Sequence, residues 1–283
     1  MRLERFSADD GEEIRVQVEG NGPPIVLLHE WASSHRVWEP IAQRLHDRFT
    51  IYRWDARGQH GHGEPLPAAT DPRAVTLPRM AEDLRHLLDH FGLQRPIVVG
   101  HSMGALTLWA YIARYGCDRL SRIGIVDQSP RLVTDAQWTL GIYGDWPPAR
   151  DAAFLADMRA DFVETVVRLV CQGLNRRARE RFKAQHAGIE RMRTYLAMLD
   201  HEPLIEVWPS LSAADFRPVL PSIDVPALLV YGAESNYYPP ATGVFVRDAI
   251  PSAEFVVYEG ADHSPHVAQP DRFAADLARF AAG

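Results

Sequence analysis

Gly100-His101-Ser102-Met103-Gly104 is a G-x-S-x-G. A serine hydroxyl is a poor nucleophile until a base takes its proton. The pattern therefore carries chemistry only with a histidine and an orienting group elsewhere in the chain. Its surroundings favour that use. The apolar run PIVV precedes it, and ALTLWAYIARYG follows with helical spacing. A sharp strand-to-helix turn between small residues would lift the hydroxyl above the sheet. The plain alternative is a Gly-rich strand-to-helix turn with no chemistry.

The base must come from another loop. Gly260-Ala261-Asp262-His263-Ser264-Pro265-His266 follows the apolar run EFVVYE near the C-terminus. His263 stands first in that loop, nearest the strand end, and is the candidate base. His266 lies deeper, where a helix begins, and its ordinary role there is to pack or cap. Leu28-His29-Glu30-Trp31 ends another strand. Loops at the carboxyl ends of strands face the ligand in open α/β sheets. A backbone N–H of this loop, with that of Met103, would make an oxyanion hole, and His29 becomes a candidate pocket residue.

The elements that must position these groups alternate. RLERF, IRVQVEG, PPIVLLH, FTIYRWD, PIVVG, RIGIVD, PALLVYG and EFVVYEG read as strands. WEPIAQRLHDRF reads as a helix. So does the stretch from Asp71 to Phe91, where Met80, Leu84, Leu87, Leu88 and Phe91 fall on one face. Such alternation predicts a mainly parallel sheet covered on both faces. It stops near Pro130 and resumes with PALLVYG. Between them the chain reads as helical, with Trp138, Tyr143, Trp146 and Trp208 as candidates to line an apolar pocket. Taken singly, the ordinary role of each of these aromatics is to pack the segment.

Together these segments resemble the α/β-hydrolase superfamily. The resemblance runs from about Ile25 to the C-terminus and rests on HEW at 29–31, DARG at 55–58, GHSMG at 100–104 and GADHSPH at 260–266. It implies an α/β fold, a mostly parallel eight-stranded sheet flanked by helices, with a helical cap inserted after the sixth strand. The expected division is a core of residues 1–130 and 221–283 and a cap of residues 131–220. By the same resemblance Ser102 is the nucleophile, His263 the base, and Trp31 and Met103 the oxyanion donors through their backbone N–H groups.

The sequence departs from the family in three places. Glu30 stands where the family usually has Gly, and a carboxylate aimed at an oxyanion would repel it; an outward turn to solvent or to an arginine is expected. The loop Gln59 to Pro65 is irregular, and its His60 and His62 find no third metal ligand, so it reads as an ordinary loop. Most relatives carry the catalytic acid in a G-x-x-D after the strand read here as PALLVYG, but this chain has Gly232-Ala233-Glu234-Ser235. Asp127, at the end of IVD, is the expected acid, as in superfamily members that carry it after that strand. Glu234 is the rival, and an Asx turn is the ordinary role of Asp127. Asp55 and Asp262 are lesser carboxylates; Asp55 is expected to be structural, tied to Arg57 or to loop amides.

The bulk numbers narrow the partners. A net charge of -7 without a Lys/Arg cluster argues against nucleic acid. No apolar run reaches the roughly 18 residues of a membrane span. The N-terminus shows no apolar signal-peptide region. Cys117 and Cys171 are expected as buried thiols in a cytoplasmic protein. The leading expectation is a serine hydrolase of a carboxylic ester, lactone or thioester of a moderately large, mostly apolar small molecule. It would need no cofactor and no metal, and nothing in the sequence sets its oligomeric state. Acyl transfer, cofactor-free oxygenation or C–C cleavage on the same machinery, and a non-catalytic ligand sensor, are the alternatives.

Overall fold

The computed structural model of the protein describes residues 2–59 and 71–283. His60 and His62 lie outside the described residues. Eight strands form one sheet: β1 (Arg2–Ser7), β2 (Glu13–Gly20), β3 (Pro24–Leu28), β4 (Thr50–Asp55), β5 (Ile97–His101), β6 (Arg122–Val126), β7 (Ala227–Gly232) and β8 (Ala253–Tyr258). Their order is β1-β2-β4-β3-β5-β6-β7-β8. The two pairs made by β2 are antiparallel and the others parallel.

Side chains alternate across a strand, so a central strand feeds two cores. In β3, Ile25 and Leu27 join one apolar layer, while Val26 and Leu28 join the other. The first layer is covered by α1 (Glu39–Leu45) and by α11 (Pro270–Ala282), which follows the short α10 (Pro265–Ala268). The second is covered by α2 (Leu77–His90), α3 (Met103–Tyr115) and α9 (Pro240–Ala249). The helix expected from Asp71 starts only at Leu77. The Asp71 carboxylate accepts the Arg73 N–H at 3.0 Å and closes a separate turn. Pro78 then fits the first turn of α2, where a missing N–H costs nothing.

Between β6 and β7 the chain leaves the sheet and forms α4 (Pro148–Ala160), α5 (Phe162–Cys171), α6 (Arg176–Lys183), α7 (Ala187–Ala197) and α8 (His201–Ser212). Cys117 and Cys171 are buried thiols. Asp55 is structural, but its partner is not Arg57: it accepts the backbone N–H of His35 at 2.7 Å and the His35 ring at 2.9 Å. Arg57 instead forms a two-pronged buried pair with Asp83, at 2.6 and 2.7 Å. Among the described residues no helix is long and apolar enough to cross a membrane.

Candidate active site

Ser102 sits between β5 and α3 with φ 51° and ψ -115°, a conformation that L-residues rarely adopt. The flanking glycines make the turn possible. A Cβ on Gly100 would lie 2.4 Å from the Gly104 backbone, and one on Gly104 would lie 2.3 Å from the Leu28 carbonyl oxygen. The G-x-S-x-G spacing is thus a packing requirement: the elbow folds onto itself at one glycine and onto β3 at the other.

Asp127 directly follows β6 with φ 41° and is fully buried. Among the described residues three groups donate to its carboxylate. His263 Nδ1 lies 3.0 Å from Oδ1, the Ser235 hydroxyl donates to Oδ1 at 2.8 Å, and the Gly232 N–H donates to Oδ2 at 2.9 Å. With Nδ1 carrying a proton toward a carboxylate, His263 Nε2 is left as the basic nitrogen. Ser102 and His263 line the same cavity.

Ser235 therefore occupies the family's usual acid position and grips an acid that arrives from the adjacent strand. The Ser235 oxygen also accepts the N–H groups of Tyr237 and Tyr238, each at 3.3 Å, which fixes its hydroxyl toward Asp127. Glu234 turns outward to Arg177, 3.5 Å away. Asp262 caps its own loop, accepting the Ser264 N–H at 2.9 Å.

Trp31 follows β3 in a turn, and Met103 opens α3, where an N–H has no intrahelical acceptor. Gln59 ties these two segments together. Its carbonyl accepts the Ala32 N–H at 2.9 Å and its amide lies 3.1 Å from Met103 Sδ. The Trp31 indole donates to the Leu204 carbonyl at 3.0 Å and packs on Phe162 and Trp208, so the inserted helices rest on this loop.

Glu30 does not turn to an arginine; it lines the cavity, partly exposed, and pairs with a histidine. Its carboxylate lies 3.2 Å from His101 Nδ1. Burial alone would raise its pKa, but the charge and hydrogen bond of the His101 ring win and hold it well below the usual carboxylate range. His266 packs, stacked on Trp38 with centroids 4.2 Å apart. Burial, with the neighbouring His101, keeps its pKa well below 6.5.

The cavity holds about 520 Å³ of empty space, part of it open to solvent. Leu106, Leu132, Ile142, Leu169 and Leu211 make its apolar walls, with Trp31 and Trp208. Of the side chains expected in the pocket, only Trp208 lines it. Tyr143 and Trp146 line a separate cavity of about 540 Å³ within the insert. Trp138 is spent on packing, edge-on to Phe245. His29 is buried beneath the loop, with Nδ1 2.7 Å from the Glu30 carbonyl oxygen and Nε2 accepting the Ala56 N–H at 3.0 Å. Gln128, Tyr237 and Tyr238 line the cavity and were not expected. Their signal was adjacency: Gln128 follows Asp127, and the tyrosines follow Ser235 by two and three positions.

An eight-stranded, mostly parallel sheet with a strained serine elbow and a carboxylate-held histidine at one cavity defines the class. The chain belongs to the α/β-hydrolase family, whose model, described as the alpha/beta hydrolase fold, matches residues 23–270. It is 27% identical over 272 residues to a pimeloyl-[acyl-carrier protein] methyl ester esterase of Vibrio vulnificus (strain YJ016), covering 95% of this chain and 98% of that one. It is 26% identical over 267 residues to 3-oxoadipate enol-lactonase 1 of Acinetobacter baylyi, covering 93% and 91%. Among solved structures, an esterase from Exiguobacterium antarcticum superposes with a TM-score of 0.83 at 18% identity over the whole of both chains, a likeness of fold.

Proposed function

We propose that the protein is a serine hydrolase of carboxylic esters or lactones with a neutral, mostly apolar acyl group. The observation that carries this reading is the Asp127–His263 pair, 3.0 Å apart, presented to the cavity that Ser102 also lines. The names of the two relatives support the ester or lactone chemistry, since both bonds are opened by the same attack at a carbonyl; the neutral acyl group rests on the cavity lining alone. In this reading Ser102 Oγ adds to the carbonyl carbon as His263 Nε2 takes its proton. The oxyanion is held by the Trp31 and Met103 N–H groups. His263 then gives its proton to the leaving oxygen. Water, activated by the same ring, releases the acid and restores Ser102.

Helices α4–α8, within the proposed cap of residues 131–220, supply Leu169, Trp208 and Leu211 to the cavity and so set what enters. The two buried thiols support a cytoplasmic site of action. A fluorophosphonate probe tests the core of the proposal: it should label the wild-type chain at Ser102 and leave Ser102→Ala unlabelled. Labelling that persists in the variant sinks it.

Substrate charge is a second test. Among the described residues that line the cavity there is no lysine or arginine. A carboxylate at the far end of an acyl chain would lose its water and find no cation, at a cost of several kcal/mol. Nitrophenyl esters of neutral alkyl and aryl acids are expected to be turned over with kcat/KM about 100-fold or more above that of the half-esters of dicarboxylic acids of equal length. A preference for the half-esters would overturn the neutral pocket.

The pH profile follows from the base. Burial holds the His263 pKa below 6.5, with His101 acting in the same sense, while Asp127 pulls the other way. Protonated His263 cannot accept the serine proton, so kcat/KM should rise with pH through the free-enzyme pKa and then level off. Its midpoint is expected below 6.5 with a neutral ester. A midpoint above 6.5 would mean that the Asp127 charge outweighs the burial of the ring.

A further inference from the structure

Beside the catalytic groups lies a cluster that the proposed reaction does not use. One ligand atom each of Glu30, His101 and His266 falls within 4.8 Å of the others. His101 is fully buried, and its Nε2 lies 2.8 Å from the His263 carbonyl oxygen. A carbonyl only accepts, so Nε2 carries a proton. Nδ1 then faces the Glu30 carboxylate at 3.2 Å, where a second proton or a cation has to lie between the two acceptors. His266 is 1% exposed, and neither of its ring nitrogens has a partner among the described residues. A second proton on His101 satisfies the first pair and leaves His266 as it is. A divalent cation engages all three side chains.

We propose that Glu30, His101 and His266 form a binding site for a zinc-class divalent cation. Two imidazoles and a carboxylate are the donor set that such ions take, at about 2.0–2.2 Å. A tetrahedral ion at that range holds its ligands about 3.4 Å apart. The Glu30–His101 spacing is already close to this, and no pair has to close by more than about 1.4 Å. The fourth position is left to water or to a solute from the cavity that Glu30 lines.

The placement gives the ion a task. Glu30 immediately precedes Trp31, His101 precedes Ser102, and His266 lies three residues beyond His263. One cation would therefore staple together the three loops that carry the proposed oxyanion donor, nucleophile and base.

The test uses the full chain, freed of metal with a chelator, and Zn²⁺ and Co²⁺ as probes. Calorimetry should show one Zn²⁺ bound tightly enough to saturate at micromolar concentration. Co²⁺ should develop the visible d–d bands of a four-coordinate site. At a hundredfold excess over Kd, Tm should rise by roughly 5 °C. His266→Phe keeps the stack on Trp38 and removes the nitrogens; Glu30→Gln keeps the shape and removes the charge. Each should weaken Zn²⁺ binding by at least about tenfold and, at the same Zn²⁺ concentration, cut the rise in Tm by about half or more. Binding no tighter than millimolar, or equal affinity in wild type and both variants, overturns the proposal. Should one variant fail to fold, the other decides alone.

Discussion

Ser102→Ala is expected to lower kcat for a neutral ester by about 10⁶ while the protein stays folded. That is the scale of loss when a serine protease loses its nucleophile, because base, acid and nucleophile act as one unit and what survives comes from binding and the oxyanion hole. The fold should tolerate the change. The elbow strain at φ 51° is set by the backbone and by Cβ, which alanine keeps. Among the described residues no hydrogen bond that holds the turn passes through the Ser102 hydroxyl: the Ser102 N–H donates to the Val126 carbonyl at 3.1 Å, and the Ser102 carbonyl accepts the Ala105 N–H at 2.8 Å. An unchanged Tm together with residual turnover near the buffer rate is the expected pair of measurements. Turnover within a hundredfold of wild type would show that Ser102 is not the nucleophile.

The parts of this molecule that sequence reveals are those in which a local pattern has a local cause. Gly100 and Gly104 are legible because each faces backbone at a distance no side chain survives. The central strands are legible because their apolar runs feed buried faces. The pocket was not legible, for a physical reason. Trp138, Tyr143 and Trp146 carry the same apolar signature whether they face a ligand or a neighbouring helix, and here they pack within the insert and against α9. Trp208 lines the cavity because α8 lies over the loop that follows β3, with its ring against Trp31 at 5.3 Å. Glu30 reads as a misplaced charge until His101, distant in the chain, is brought beside it by the pairing of β3 with β5. His29 looks like a site residue by position, yet the Ala56 N–H claims its Nε2. Long-range partners decide these cases, and spacing along the chain does not encode them.

Asp127→Asn is expected to lower kcat by about 10⁴, and the hydrogen bonds around Asp127 say why. Among the described residues, each hydrogen-bond partner of this carboxylate is a donor: His263 Nδ1–H, the Ser235 hydroxyl and the Gly232 N–H. An amide has one oxygen to offer. The Gly232 N–H belongs to the backbone and cannot turn away, so the asparagine oxygen should settle on that side. The amide NH₂ then faces Ser235 and His263. The Ser235 hydroxyl can rotate and accept. His263 can accept only by losing the proton from Nδ1, which moves it to Nε2 and removes the lone pair that Ser102 needs. The loss thus follows from the wrong tautomer, without unfolding. Two comparisons separate this from a general disturbance. Ser235→Ala removes one hydrogen bond to the carboxylate and leaves the tautomer intact, so it should cost only about tenfold. Glu234→Gln touches a side chain turned to Arg177 at the surface and should change kcat less than about twofold. Adding Ser235→Asp to Asp127→Asn restores an anion at the family's usual acid position and should recover part of the lost turnover. Near-normal turnover in Asp127→Asn, or a larger loss in Glu234→Gln, would show that another carboxylate orients His263.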